Sequence, residues 1–196
     1  MKPLTREIEF NHIFRDGMVR QAVVQQRMAG RIITQWPWDG GVLAYFIAQT
    51  IGDHIEIGCA WGGTAILAMM TKSSGHVYTI DPCIFCDGPQ RIDPNVIRIN
   101  FAKFGLADHI TLYVQSHPPL PIELEDKRFA TAFIDGSHTY EDALADWLNL
   151  KDRVDEFILF HDVSADSVKK VFKMAKEDSD WELAYEYEHM GVVRRV

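Results

Sequence analysis

From residue 53 onward, short continuous apolar runs alternate with longer stretches in which apolar residues return every third or fourth position. The continuous runs are Ile55 to Ile57, His76 to Ile80, Ile110 to Val114, Ala130 to Ile134 and Glu156 to Phe160. They read as strands. The periodic stretches, Thr64 to Thr71, Pro94 to Phe104, Thr139 to Leu150 and Ser164 to Glu177, read as helices. Such alternation predicts an α/β fold with a mostly parallel sheet covered on both faces. Between the third and fourth strands, Pro118, Pro119 and Pro121 interrupt the pattern, so a short turn or extended segment replaces a crossover helix. At the end of the chain, Trp181 to Tyr187 alternates, His189-Met190-Gly191 breaks the alternation, and Val192-Val193-Arg194-Arg195-Val196 follows. That pattern predicts an antiparallel C-terminal hairpin.

Ahead of the sheet, a helix is expected over Met18 to Ile33 and a second, very apolar one over Val42 to Thr50. Between them lies Gln35-Trp36-Pro37-Trp38-Asp39-Gly40-Gly41, read as a loop carrying two indoles. Either the loop lies over a binding mouth as a lid, or the tryptophans anchor the helical layer to the sheet. Residues 1–52 are therefore taken as a helical cap or lid segment, and 53–196 as the main domain.

At 196 residues and 47% hydrophobic content, the chain suits one domain with a substantial core. Its 20 basic and 28 acidic residues leave a net charge of −8, which disfavours nucleic acid and anionic membrane as partners. A small, neutral or cationic molecule fits better. With neither an apolar leader nor a membrane-length greasy run in view, a soluble, cytoplasmic protein is expected. Three cysteines argue against a disulfide framework, and Cys83 and Cys86, spaced C-x-x-C without a second pair, are taken as loop thiols.

The chemistry concentrates where strands end. Ile55-Glu56-Ile57-Gly58-Cys59-Ala60-Trp61-Gly62-Gly63-Thr64 reads as strand, tight glycine loop and helix start. Gly58 permits a turn at positive φ, and Gly62 and Gly63 let a ligand approach the free N–H groups of the helix. The spacing is E-x-G-x-x-x-G-x-[ST] rather than the G-x-G-x-x-G of dinucleotide sites. It resembles motif I of the class I S-adenosylmethionine-dependent methyltransferases. The resemblance implies a Rossmann-like methyltransferase sandwich and assigns Glu56, Gly58, Cys59, Ala60, Trp61, Gly62, Gly63 and Thr64 to the cofactor, with Asp81 after the second strand holding the ribose. Ser116, after the third strand, falls where related enzymes touch adenine.

Further along, Phe133-Ile134-Asp135-Gly136-Ser137-His138-Thr139-Tyr140-Glu141 with Asp146-Trp147, followed by Phe160-His161-Asp162-Val163, resembles one branch of that family. It is the branch of macrolide-sugar and rhamnosyl O-methyltransferases and cephalosporin-hydroxylase-like proteins. The resemblance implies Asp135 as a cofactor and catalytic residue, His138 as general base, and Asp135, His161 and Asp162 as ligands of a divalent metal. An imidazole titrates near neutrality, as removal of a hydroxyl proton requires. Imidazole among the ligands tilts the choice from magnesium toward manganese, iron or zinc, or toward no metal at all. The expected activity is O-methylation of a small-molecule hydroxyl. The alternatives are a cofactor-binding homologue of altered activity, or a nicotinamide-dependent dehydrogenase, which the loop spacing opposes.

Overall fold

In the computed structural model, which describes residues 12–28, 37–84 and 91–196, the five apolar runs form parallel strands. They are β1 (His54–Ile57), β2 (Val77–Ile80), β3 (Ile110–Tyr113), β4 (Phe129–Ile134) and β5 (Val154–Phe160). The C-terminal pair, β6 (Trp181–Tyr187) and β7 (Met190–Arg195), is an antiparallel hairpin. One sheet results, in the order β3-β2-β1-β4-β5-β7-β6, with β7 antiparallel to β5. A single 3-10 turn, Ile122–Leu124, stands where the prolines interrupt the pattern.

Register does most to shape the functional edge. Ile57 pairs with both Ile80 and Ile134, and Ile134 pairs in turn with Phe160. Four strands thus stop at one level, and the residues that follow them, Gly58, Asp81, Asp135 and His161, emerge side by side. Strand side chains alternate between faces. On β4, Ala132 and Ile134 enter a core with Trp147 and Phe172, whereas Phe133 enters the opposite core with Phe46 and Ile66.

The helices are α1 (His12–Arg27), α2 (Pro37–Ile47), α3 (Gly63–Thr71), α4 (Pro94–Lys103), α5 (Tyr140–Leu150) and α6 (Asp166–Glu177). Residues of α1 to α4 share the core that holds Phe133, and α5 and α6 share the other. Among the described residues, no helix is long and apolar enough to cross a membrane.

Two expectations change at the N-terminal end. Helix α1 begins at His12, ahead of Met18, while the part of its expected span beyond residue 28 lies outside the described residues. Helix α2 begins at Pro37, so Pro37 to Gly41 are helical and not a loop. Proline at a first helical position has its φ preset, and packing overrides the poor helix propensity of two glycines. Trp38 anchors: its indole N–H donates to Tyr185 Oη at 3.0 Å and its ring packs against Phe14 and Tyr187. Gln35 and Trp36 lie outside the described residues, as does Cys86.

The glycines are required by how closely α1 and α2 cross. A Cβ on Gly17 would stand 2.4 Å from the Ala44 Cβ, and one on Gly40 would stand 2.6 Å from the Gln21 Cβ. Overpacking of this kind costs about 1–3 kcal/mol. Gly40→Ala should therefore lower the unfolding free energy by that margin, read as a lower urea midpoint at unchanged slope. A variant as stable as the parent would show that the helices can separate freely.

Candidate active site

The glycine loop is built against its neighbours as much as for a ligand. Gly58 has φ 84°, and a Cβ there would lie 2.1 Å from the Asp135 carbonyl oxygen. The β1 and β4 loops thus touch through a position that only glycine fills. Gly62 has φ 85°, and its missing Cβ leaves room for the Phe101 ring, 2.6 Å away, rather than for a ligand. Gly63 and Thr64 open α3 on the wall of a cavity, while Glu56, Trp61 and Gly62 lie behind that wall.

Asp81 is 6% exposed and already engaged. Its Oδ2 accepts from the backbone N–H of Cys59 at 2.7 Å and of Ala60 at 2.8 Å, and Oδ1 accepts from Cys83 N–H at 2.6 Å. A carboxylate offers roughly four acceptor positions. Two of these bonds tie the glycine loop to β2 and the third closes the turn after β2, which leaves one position for a hydroxyl. Replacing Asp81 thus disturbs the loop as well as any ligand.

Glu56, fully buried in β1, accepts from the Thr64 hydroxyl, while its Oε2 has no partner. Burial pushes its carboxyl up to about 8; the Thr64 bond opposes that shift and the charge of Asp135 adds to it.

The residues ending β4 and β5 converge. His161 Nδ1 lies 3.1 Å from Asp135 Oδ1 and 3.2 Å from Asp162 Oδ2, and on the far edge of the ring Nε2 lies 3.3 Å from Asp39 Oδ2. His138 Nε2 stands 3.1 Å from Asp162 Oδ2, and His189 Nδ1 3.7 Å from Asp162 Oδ1. Asp162 adopts φ 54°, a left-handed conformation that Asp tolerates better than most residues. The turn aims its carboxylate back at the histidines, and α6 begins later, at Asp166, without a side-chain cap. His138 lies in the loop ahead of α5, which Thr139 caps by accepting from Asp142 N–H.

Burial alone would lower the basicity of His161, but Asp135, Asp162 and Asp39 outweigh it and push the ring up to about 12. The close approach of His161 holds Asp162 below the usual carboxylate range. Although both carboxylates are close, His161 Nδ1 makes no aligned hydrogen bond. An orphaned buried nitrogen facing two carboxylate oxygens suits a shared cation, and ligand atoms of Asp135, His161 and Asp162 all lie within 4.8 Å of one another. Two oxygens and a nitrogen match manganese, iron or zinc better than magnesium.

These groups line a cavity of about 490 Å³, along with Gly58, Cys59, Ala60, Asp81, Ser116 and His138. Gln21 of α1 and Met28, just past its end, also reach it, although nothing in their local sequence marks them. So does a buried pair in which His117 Nδ1 lies 2.5 Å from Asp146 Oδ1. His117 adjoins the expected Ser116, and Asp146 falls inside the motif around His138, so adjacency was the available signal. Asp39 and His189 had none.

Residues 55–163 match the family model described as a methyltransferase domain. That match covers more than half of the chain. The chain belongs to the methyltransferase-domain family. No curated protein matches it in sequence. Among solved structures, it is similar to cofactor-bound Rv0187 from MTB, at 15% identity and TM-score 0.67, covering 98% of this chain and 93% of that one. The O-methyltransferase TomG from Streptomyces achromogenes, in complex with SAM, aligns at 12% identity and TM-score 0.63, covering 92% and 89%. An O-methyltransferase from Bacillus cereus, in complex with SAH, aligns at 13% and 0.61, covering 95% and 91%. At these identities the likeness shows the fold, which is the Rossmann-like class I methyltransferase sandwich. Family and fold together set aside the dehydrogenase alternative for this methyltransferase.

The raised carboxyl of Glu56 fixes the sign of a pH effect. Between the ordinary carboxyl value of 4.5 and about 8, the folded state holds a proton that the unfolded chain has lost. Stability therefore falls as pH rises through that window. Glu56→Gln should remove that decline, converging with the parent below pH 4.5 and exceeding it above pH 8 by an amount on the order of a few kcal/mol. Parallel stability curves from pH 4 to 9 would contradict the assignment.

Proposed function

We propose that this methyltransferase moves a methyl group from S-adenosylmethionine to a small-molecule hydroxyl, with His138 as general base and a divalent cation beside it. The observation that carries the reading is the convergence of Asp135, His161, Asp162 and His138 on the cavity that the glycine loop and Asp81 also line. Related folds crystallised with SAM or SAH support the cofactor.

S-adenosylmethionine supplies an activated methyl on sulfur, and a divalent ion supplies a Lewis acid that lowers the pKa of a bound hydroxyl. The chain's own residues orient and take the proton. In this reading Gly63 and Thr64 offer helix N-terminal N–H groups to the amino-acid end of the cofactor, and Asp81 offers its remaining acceptor position to the ribose. Asp135, His161 and Asp162 hold the cation. Asp162 accepts from the His138 Nε2 proton, which leaves Nδ1 as the lone pair to receive the proton from the acceptor. The described part of residues 1–52 frames the acceptor mouth, a role supported by Gln21 and Met28 on the cavity wall. Free thiols at Cys59 and Cys83 fit the reducing cytoplasm.

His138→Ala should lower turnover by roughly a hundredfold or more, the scale of general-base loss, and leave S-adenosylhomocysteine affinity within about twofold. Equal turnover in the two proteins would pass proton removal to another group. Exhaustive chelation should abolish turnover and added manganese should restore it. Turnover indifferent to chelation would remove the metal and leave the methyl-transfer reading standing.

A further inference from the structure

A neutral imidazole offers a single lone pair, and the hydrogen bond made by one ring nitrogen decides which nitrogen carries it. In His161 the two edges of the ring face different partners. Nδ1 points at Asp135 and Asp162 without an aligned hydrogen bond, and Nε2 makes a 3.3 Å hydrogen bond to Asp39. Asp39 is 4% exposed, lies outside the family-matched stretch, and is separated from His161 by 122 positions in sequence. It does not line the cavity and stands across the ring from the Asp135–His161–Asp162 group, so it cannot share a cation with them.

Resting on the metal reading above, we propose that Asp39 is a positioning residue for the metal centre: by accepting the Nε2 proton of His161, it reserves Nδ1 for the cation. The helix pair makes this possible. Pro37 starts α2 so that Asp39 falls in its first turn, where the positive end of the helix dipole favours a carboxylate. Gly40 and Gly41 follow, and their lack of side chains lets α2 sit against Gln21 and Phe14 of α1. Trp38, bonded to Tyr185, pins the same turn to the sheet. Asp39 is held by this packing, and the ring is held by Asp39. With an amide in place of the carboxylate, the side chain can donate to Nε2, which puts the proton on Nδ1 and turns it toward two carboxylates that then have no cation.

The test titrates manganese into wild type, Asp39→Asn and Asp39→Ala by calorimetry, with S-adenosylhomocysteine binding measured on each protein. Outer partners of metal-bound histidines are typically worth 10- to 100-fold in metal affinity. Both variants should lose roughly that factor for manganese while S-adenosylhomocysteine affinity stays within about twofold. In the zinc-loaded wild type, ¹⁵N-edited NMR should show the His161 proton on Nε2 and the metal on Nδ1. Unchanged manganese affinity in either variant, or zinc on Nε2, overturns the role of Asp39 and leaves the metal centre intact. A wild type that binds neither manganese nor zinc overturns the metal reading itself, and this inference with it. Asp39→Ala keeps the comparison available if Asp39→Asn does not fold, because either variant alone decides it.

Discussion

Three carboxylates crowd one buried imidazole, and the carboxyl edge of the sheet is arranged around that balance of charge. Asp39, Asp135 and Asp162 all come within 3.1 to 3.3 Å of the His161 ring. Removing a carboxylate from water carries a penalty of several kcal/mol unless an opposite charge stands beside it. In the metal-free protein a proton on His161 provides that charge, which is why the ring is driven up to about 12 against the effect of its own burial. A divalent cation at Nδ1 provides the same compensation with one more unit of charge. Either way the cluster holds only while something positive occupies its centre.

The cluster exists because the strands end together. Parallel pairing without a slip carries Ile57, Ile80, Ile134 and Phe160 to one level. A slip of one residue would turn every following side chain to the other face. Gly58 then closes the gap between the β1 and β4 loops, and Asp81 ties the glycine loop to β2 through the backbone N–H groups of Cys59 and Ala60. The glycine-loop side and the His161 side of the site are therefore joined through backbone contacts as well as through a shared cavity.

This division explains what could be read from the sequence. Strands β1, β2, β4 and β5 are short apolar runs bounded by polar turns, so their carboxyl ends, and with them Asp81, Asp135, His138, His161 and Asp162, follow from pattern and motif. The start of α2 does not follow. Its first turn, Pro37-Trp38-Asp39-Gly40-Gly41, has the propensities of a loop and becomes helix because Phe14, Tyr185 and Tyr187 surround Trp38. Asp39 reaches His161 only through that packing, and His189 reaches Asp162 only through the β6–β7 hairpin. Local spacing carries no trace of either contact. Gly62 was misread for a related reason: its neighbour is Phe101 of α4, a partner that only the tertiary fold supplies.

Strain and unmet hydrogen bonds gather at the same edge. Ala60, Cys83 and Asp162 are non-glycine residues at positive φ, all in loops after strands that border the cavity. Behind the same wall, Glu56 Oε2 and Thr79 Oγ1 are buried without partners. Such conformations cost about 1–3 kcal/mol each and persist only where the surroundings overdetermine them. The aromatic packing beneath meets that condition: Trp147 contacts Phe160 and Trp181, and Phe160 contacts Phe172, which fixes the end of β5 immediately before His161. A side chain that relaxed there would move His161 relative to Asp135 and Asp39 together. The rigidity of that apolar layer therefore sets how well three separate carboxylates can be kept on one ring.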